Sequence, residues 1–162
     1  MFRSLQRRFA SGIVINTTRG PIKMKFRSDA APETVKHMER LIKEGKYKDL
    51  PQGHSPKFYH PNIVQRQWTN FHNLTERRVL NCGVYGTDPK TTQEPFNDKY
   101  PVGELQVNET HVGTKISNVR GTVSMFHWDC RHSKGDTEFF INLINNEYLD
   151  EAYDGFCVFA GV

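Results

Sequence analysis

The stretch that decides the fold spans residues 121–141 and reads GTVSMFHWDCRHSKGDTEFFI. Its first five residues and its last four are short runs rich in β-branched and aromatic side chains. Such runs predict two buried strands, because these side chains favour the pleated, half-buried surface of a sheet. The residues between the runs are mostly polar and predict a connecting loop. We expect any functional site to lie beside that loop.

Four motifs in this half of the chain resemble the cyclophilin peptidyl-prolyl isomerases, in particular their bacterial-type branch. They are GTVSM, FFIN, NNEYLD and GFCVFA, at residues 121–125, 139–142, 145–150 and 155–160. A further block, APETVK at residues 31–36 followed by Gly45 and Tyr47, is similar to the first helix of that family. The resemblance implies a mainly β fold, a cyclophilin-like antiparallel β-barrel with a capping helix. It also implies a C-terminal helix and a closing strand, which are absent from this sequence.

Length and composition predict one domain with a single core, since the chain has 162 residues of which 36% are hydrophobic. We divide it into a basic segment, residues 1–11, and a cyclophilin-like domain, residues 12–162. Three arginines and no acid in residues 1–11 account for most of the net charge of +4. The domain is nearly neutral, so nucleic acid is not an expected partner. No apolar run is long enough for a transmembrane segment.

The basic segment, MFRSLQRRFAS, places Phe2, Leu5 and Phe9 among its arginines and contains no acid. This composition is typical of a short mitochondrial presequence. We therefore predict a mitochondrial protein, in the matrix or on the matrix side of the inner membrane. An ordinary basic extension is the alternative interpretation.

Hydrophobic periodicity places the remaining elements. Residues 12–17 and 22–26 predict a β-hairpin whose second strand points Ile22, Met24 and Phe26 inward. A helix is predicted to begin at Ala31-Pro32 and to end before Gly45, with an apolar stripe on one face. Further strands are predicted at residues 57–60, 62–68, 79–84 and 157–162, the first of them after a polar break at residues 51–56.

The end of the sequence suggests where partners bind. Without a closing strand, the resemblance leaves an open barrel edge near Ile13 and Val162. An open edge exposes unpaired backbone donors and acceptors, which proteins cover or blunt to avoid aggregation. We therefore expect other protein subunits to cover that edge.

The catalytic position carries the main departure from the family. Cyclophilins hold proline in an apolar pocket, while an arginine binds and polarises the substrate backbone. The resemblance places His60 at the arginine position, and imidazole is shorter and lacks the five-donor fork. Losing a contact comparable to an oxyanion-hole donor costs about 10²–10³ in rate. Arg66 takes the place of the family's arginine only if the alignment of this segment with the family is shifted. No catalytic residue is therefore expected.

The groove departs from the family as well. Phe126 and His127, followed by Trp128, stand where the family has small residues that leave room for substrate, so these rings are predicted to fill the groove. Glu138 stands in place of a glutamine, which removes an amide donor. The resemblance therefore implies a vestigial proline pocket that consists of His60, Phe126, His127, Glu138, Phe140, Tyr148, Leu149 and Phe156. For the last four of these, from Phe140 to Phe156, filling the core is an equal alternative.

Metal or thiol chemistry is the competing hypothesis for the same loop. His127, Asp129, Cys130 and His132 lie within six residues, but the second ligand pair that a zinc site needs is not evident. A polar surface loop is the favoured interpretation. A nucleophilic pair built on Cys130 or Cys157 lacks an orienting third group. We predict no metal and no cofactor.

These observations predict a non-catalytic, structural subunit of a large mitochondrial assembly. The nearly neutral domain favours a respiratory-chain complex over a mitochondrial ribosome. One alternative is an active peptidyl-prolyl isomerase that assists protein folding in the mitochondrial matrix. Another is a peptide-binding module that grips proline without isomerising it.

Overall fold

A computed structural model describes residues 12–17, 20–47, 54–59, 78–86, 103–127 and 135–162. For residues 16–17, 54–59 and 83–86, it describes the backbone but not the side chains.

The described chain forms one antiparallel sheet that is curled into a half-barrel, with one α-helix. The strand order across the sheet is β1-β2-β7-β5-β6-β4-β3. This architecture confirms the predicted mainly β, cyclophilin-like fold with a helix. The elements are β1 (Gly12–Thr17), β2 (Gly20–Phe26), α1 (Pro32–Lys43), β3 (His54–Tyr59), β4 (Val79–Gly86), β5 (Thr122–Met125), β6 (Phe139–Asn142) and β7 (Val158–Gly161).

The sequence correctly predicts the positions of the hairpin, the helix and the β5–β6 pair. It does not predict where β3 begins. Strand β3 begins at His54, inside the predicted polar break, so that prediction is wrong from His54 onward. Its backbone pairs with β4 in a continuous register from His54 opposite Gly86 to Tyr59 opposite Asn81. Backbone pairing does not depend on side-chain hydrophobicity, and Pro56 is tolerated because β3 ends the sheet. The strand predicted at residues 62–68 lies outside the described residues.

The two ends of the sheet are β1 and β3, whereas β7 lies between β2 and β5. The amide of Val162, just after β7, donates to the carbonyl oxygen of Gly121 at 2.8 Å. Among the described strands, the sheet ends at β1, whereas Val162 follows a strand that pairs on both sides, because β7 inserts between two strands that are distant in sequence. An edge near Ile13 and Val162 that other subunits cover stays a prediction.

Helix α1 packs its apolar stripe into the main core, against side chains of the sheet. Val35, Met38 and Leu41 are at most 2% exposed and share one core cluster with Met24 and Phe159. Helix spacing aligns these positions on a single face, which is why the stripe could be identified from the sequence. Within the described ranges, no helix has the length and apolarity that crossing a membrane requires.

The start of α1 is capped by a residue from far along the chain. Ala31 at the N-cap has no side chain that can accept a hydrogen bond. The carboxyl group of Glu109 takes this role: Oε1 accepts from the Glu33 amide at 3.0 Å, and Oε2 accepts from the Thr34 amide and hydroxyl, both at 2.7 Å. Two of the unpaired amides at the helix start are thereby satisfied, and an acidic group faces the positive end of the helix dipole.

His37 joins α1 to the segment before β6. Its Nε2 lies 2.8 Å from the carbonyl oxygen of Asp136, and its Nδ1 lies 3.4 Å from the Arg40 guanidinium. Burial is the main cause that lowers the pKa of His37 below 6.5; Arg40 acts in the same direction, whereas Asp136 and Glu44 oppose it. The folded protein therefore favours neutral His37, with Nε2 donating to the carbonyl.

We expect His37 to make the protein less stable in acid. The unfolded chain binds a proton at a higher pH than the folded chain does, so stability is present above about pH 6.5 and is lost as the pH falls below it. For this one group, the slope is at most about 1.4 kcal/mol per pH unit. Urea unfolding between pH 8 and pH 5 measures the slope.

His37→Gln is expected to flatten this pH dependence, because glutamine does not titrate. His111→Gln is the matched control, since His111 is exposed, and the slope should survive that change. A wild-type slope that is the same in His37→Gln would show that another group carries the acid sensitivity.

Candidate functional site

The candidate site is assembled where the end of β5 lies beside the start of β6. Met125 is opposite Phe139 in the β5–β6 pair, and the Phe126 amide donates to the Glu138 carbonyl oxygen at 3.0 Å. Residues 126–127 and 138–140 are therefore neighbours. The sequence places them on either side of a loop, and the antiparallel pairing brings them together.

Four of the predicted site residues form one buried cluster, separate from the main core: Phe126, Phe140, Leu149 and Phe156. The last three are each 1% exposed and Phe126 is 8% exposed. Phe140 comes from β6, whereas Leu149 and Phe156 come from the turns before β7, where the Phe156 amide donates to the Leu149 carbonyl oxygen at 2.9 Å. We call these four residues the aromatic cluster.

Among the described residues, four rings surround Phe156 at the centre of the aromatic cluster. The Phe140 ring meets it edge-on with a centroid distance of 5.5 Å, and the Tyr153 ring does so at 6.3 Å. The Phe126 ring is stacked at 6.2 Å, and the His127 imidazole is stacked at 4.4 Å with only 14° between the planes. Two of the four rings therefore come from the short segment that follows β5.

His127 is fixed in this stack by the backbone beside Phe156. Its Nε2 lies 2.9 Å from the carbonyl oxygen of Gly155, and the side chain is 4% exposed. Gly155 has a φ of +79°, and a Cβ there would lie 2.3 Å from Cγ2 of Thr110 and 2.5 Å from the Asp150 carbonyl oxygen. Only glycine fits this position, so the chain can turn Phe156 into the cluster.

Polar side chains hold the Phe156 segment against β5 and β6. Asn118 is fully buried, and its Nδ2 donates to Oδ1 of Asp150 at 2.9 Å and to the Phe156 carbonyl oxygen at 3.0 Å. Its Oδ1 accepts from Ser124 at 2.6 Å and from Asn142 at 3.1 Å. Buried polar groups that are satisfied in this way fix one geometry, because breaking any bond leaves a buried group unpaired.

Tyr148 lies outside the aromatic cluster, although the sequence places it among the pocket residues. Its side chain is 48% exposed, and the Arg78 guanidinium lies over the ring, 5.9 Å from the centroid. Partial burial raises the pKa of Tyr148, and the Arg78 charge opposes that rise. This arrangement is a cation–π contact at the surface, of the kind that stabilises by about 0.5–1 kcal/mol.

The remaining predicted residues divide between the described ranges and the rest of the chain. Glu138 is 6% exposed, and its backbone amide donates to Oδ1 of Asp136 at 2.9 Å. His60 and its alternative Arg66 lie outside the described residues, as do four members of the loop after His127: Trp128, Asp129, Cys130 and His132.

Thiol and metal chemistry find no support in the part of the chain that is described. Burial, with Glu109 nearby, raises the pKa of the Cys157 thiol to about 12, and burial raises that of Cys82 well above 9.0. Both thiols are protonated near pH 7 and are therefore poor nucleophiles and ligands. No group of three metal-binding side chains occurs among these residues.

Several residues that shape the site were not identified from the sequence. Tyr153, Asn118 and Asp150 each contact Phe156 or its segment, and no role in the site was predicted for them, although Asp150 ends the motif NNEYLD. Asn118 lies next to a motif that the sequence does single out, GTVSM. Nothing in its spacing indicates that it would be fully buried.

The sequence matches a known family over almost its whole length. Residues 12–162 match the family described as cyclophilin type peptidyl-prolyl cis-trans isomerase/CLD. Peptidyl-prolyl cis-trans isomerase B of Escherichia coli (strain K12) is 30% identical over 157 residues, which cover 93% of this chain and 76% of that protein.

Solved structures share the fold at lower identity. Cyclophilin AquaCyp293 from Hirschia baltica superposes with a TM-score of 0.60 at 13% identity, covering 94% of this chain. This chain spans only 64% of the length of AquaCyp293. A cyclophilin type peptidyl-prolyl cis-trans isomerase of Cryptosporidium parvum, solved in the presence of the dipeptide Ala-Pro, gives a TM-score of 0.56 at 17% identity, with coverage of 93% of this chain and 77% of that one.

Proposed function

From the premise that this chain belongs to the cyclophilin-type peptidyl-prolyl cis-trans isomerase family, we propose that it is a non-catalytic member, a structural subunit of a large mitochondrial assembly. The family supports a function of the prolyl isomerase type. The proposal concerns what this member has lost and where it acts.

The enclosure of Phe156 carries the proposal. Its sequence neighbours resemble the family's proline pocket, where a substrate ring needs an open apolar surface. Here Phe126 and His127 stack on Phe156, at 6.2 Å and 4.4 Å. Phe140 and Phe156 are each 1% exposed, so neither presents a face of useful size to a ligand. Side chains of the chain itself thus occupy the space beside Phe156.

The loss of the pocket agrees with the loss of the arginine. A cyclophilin needs both a grip on proline and a donor that polarises the substrate backbone, and the resemblance places His60 at the donor position. A neutral imidazole offers one donor where a guanidinium offers five. The two departures are independent of each other in sequence, which favours a protein without isomerase activity over one with altered specificity.

The location and the host complex rest on the sequence. The acid-free segment at residues 1–11 supports a mitochondrial protein, in the matrix or on the matrix side of the inner membrane. The nearly neutral domain favours a respiratory-chain complex over a mitochondrial ribosome, because a subunit that coats RNA would be expected to carry a basic surface.

We expect the full chain to show at most about 1% of the catalytic efficiency of Escherichia coli peptidyl-prolyl isomerase B, in line with the loss of one transition-state donor. Exchange NMR on an Ala-Pro peptide, with both proteins at equal concentration, measures this ratio. His60→Arg alone is expected to restore no activity because the aromatic cluster still fills the pocket. Comparable efficiency of the two proteins would refute the non-catalytic assignment.

The second candidate is an active isomerase of the mitochondrial matrix, which the 30% identity to isomerase B favours. Native fractionation of mitochondria followed by mass spectrometry separates the candidates. A subunit migrates with a respiratory complex at fixed stoichiometry, whereas a folding enzyme migrates alone. A proline-binding module, the third class, would bind the Ala-Pro peptide without accelerating its isomerisation.

A further inference from the structure

His127 covers a face of Phe156 more closely than any other described ring does. Its imidazole lies 4.4 Å from the Phe156 ring, centroid to centroid, with 14° between the planes. The Phe126, Phe140 and Tyr153 rings lie 5.5–6.3 Å away, and two of them meet Phe156 edge-on. Aromatic pairs have centroid distances of about 4.5–7 Å, so the imidazole stands at the close end of this range. It is the ring that keeps other groups off this face.

The hydrogen bond of His127 is one that its acceptor can do without. Nε2 of His127 lies 2.9 Å from the Gly155 carbonyl oxygen, and Nδ2 of Asn108 donates to the same oxygen, also at 2.9 Å. Removing the imidazole therefore leaves this oxygen with a donor. Because a buried acceptor without a donor is what would drive the backbone to rearrange, the turn at Gly155 is expected to keep its shape without His127.

The other walls of the site are held by contacts that do not include His127. Phe140 lies in β6, paired with both neighbouring strands. The Phe156 amide donates to the Leu149 carbonyl oxygen at 2.9 Å, and the Phe156 carbonyl oxygen accepts from Nδ2 of Asn118 at 3.0 Å. Protein cores relax only partly around a missing side chain. Loss of the His127 ring would thus leave a space beside Phe156, and the walls would not collapse into it.

A shallow pocket adjoins His127. It contains about 200 Å³ of empty space, part of it open to solvent, and its lining includes Leu105, Val107 and Met125 as well as His127. Phe156 does not line this pocket, whereas His127 both borders the pocket and stacks on Phe156. The imidazole therefore separates the pocket from the Phe156 ring. Without it, a small ligand would have a path from solvent to that ring.

We propose that His127 is the residue that excludes proline from this site, because its five-membered imidazole takes the place on Phe156 that a pyrrolidine ring would occupy. The two rings have a similar width, and both can lie face-on against a phenyl ring. The Phe126 ring belongs to the walls. One side chain, and not a rearranged fold, thus closes the site. The inference specifies how the pocket is closed in the non-catalytic protein proposed above, and it rests on that function.

Removal and replacement of the ring test this role. His127→Ala removes the imidazole and keeps Cβ, so free imidazole and a blocked Ala-Pro dipeptide are the ring-bearing probes, and blocked Ala-Ala is the control without a ring. NMR shifts of the Leu149, Gly155 and Phe156 amides report binding to the full chain. Both ring-bearing probes are expected to bind the variant with dissociation constants of about 1–10 mM, as small ligands do in a cavity of matching shape, and at least about tenfold more tightly than they bind the wild type.

Phe126→Ala is the matched control, because it removes the neighbouring ring and leaves His127 on Phe156. This variant is expected to bind neither probe more tightly than the wild type does. His127→Asn is a second variant for the same measurement. Asparagine has no ring but can donate to the Gly155 carbonyl oxygen, so His127→Asn should fold even where the alanine variant does not, and it is expected to bind the Ala-Pro dipeptide.

Three results would overturn the proposal: equal binding by the wild type and the His127 variants, no binding by a folded His127 variant, or equal gains in Phe126→Ala and His127→Ala. The isomerase measurement separates the proposal from the function on which it rests. A wild type that isomerises the Ala-Pro peptide efficiently would contradict the proposed function. An inactive wild type, together with a folded His127→Ala that binds neither probe, would contradict only the role of His127.

Discussion

Phe156→Ala is expected to lower the free energy of unfolding by about 3–5 kcal/mol, the usual cost of removing a phenylalanine from a closed core. Phe156 is 1% exposed, and four of the described rings surround it. Removing its side chain therefore creates a cavity, and the surrounding groups can fill that cavity only by breaking their hydrogen bonds. His127 is held by the Gly155 carbonyl, and the backbone of Phe156 itself is held by Asn118. Equilibrium unfolding in urea measures the loss.

The prediction separates a core from a binding pocket. A phenylalanine that lines an open proline pocket already has one face in water, and its truncation costs much less than truncation in a closed core. Tyr148→Ala is the matched control, because the sequence assigns Tyr148 to the same pocket, but the side chain is 48% exposed. It is expected to cost less than about 1 kcal/mol, near the strength of an exposed cation–π contact. Equal, small losses in the two variants would indicate that the pocket is open.

Glu109→Ala is the second large effect, with an expected loss of about 3–4 kcal/mol, because two helix amides and one hydroxyl lose their acceptor and each buried unpaired donor costs about 1–3 kcal/mol. The Glu109 side chain is 5% exposed, so water replaces the lost carboxyl group poorly. The Thr34 amide and hydroxyl, both at 2.7 Å, are the donors most affected. Urea unfolding and helix content by circular dichroism measure the effect.

Glu33→Ala is the control for this prediction. Glu33 is also acidic and lies in the first turn of α1, but it is exposed, and its partner is the exposed Lys36. Surface ion pairs of this kind contribute about 0–1 kcal/mol, so the variant should be nearly as stable as the wild type. Glu109→Gln keeps one oxygen as an acceptor and should fall between the two alanine variants. Similar losses for Glu109→Ala and Glu33→Ala would show that the helix does not depend on the distant cap.

Together, these two variants address different parts of the proposed function. The aromatic cluster concerns the loss of the proline pocket, whereas the Glu109 cap concerns how the helix is held on the half-barrel. A member of this family that retains its folded core while its pocket is filled can serve as a rigid binding platform.

Local patterns allowed much of the fold to be predicted from the sequence. The alternation in β2 identified Met24 and Phe26 as inward residues, and the spacing of Val35, Met38 and Leu41 identified the buried face of α1. Each pattern reports on a short segment, so no knowledge of the rest of the chain is needed. The start of β3 was missed because pairing with β4 overrides the polar sequence at His54.

The four residues of the aromatic cluster could be named from the sequence, but their arrangement and their polar neighbours could not. The bulky rings at Phe126 and His127 suggested a filled groove, and Phe140, Leu149 and Phe156 were named among the pocket residues. Which rings would touch could not be predicted, because Phe126 and Phe156 are 30 positions apart in the numbering and meet only through the pairing of β5 with β6 and β7. Tyr148, next to Leu149 in sequence, points out of the cluster for the same reason: neighbours along a turn face different sides.

The sequence by itself determined the family, through its motifs, and the inward residues of β2 and α1, because hydrophobic periodicity acts within a few residues. Only the tertiary structure decided that four of the described rings surround Phe156, that Glu109 caps a helix 75 residues earlier, and that β7 pairs on both sides, with β2 and β5. Each of these depends on strands that pair across long separations in the chain, and the energy of such pairings is shared among residues that no local pattern links.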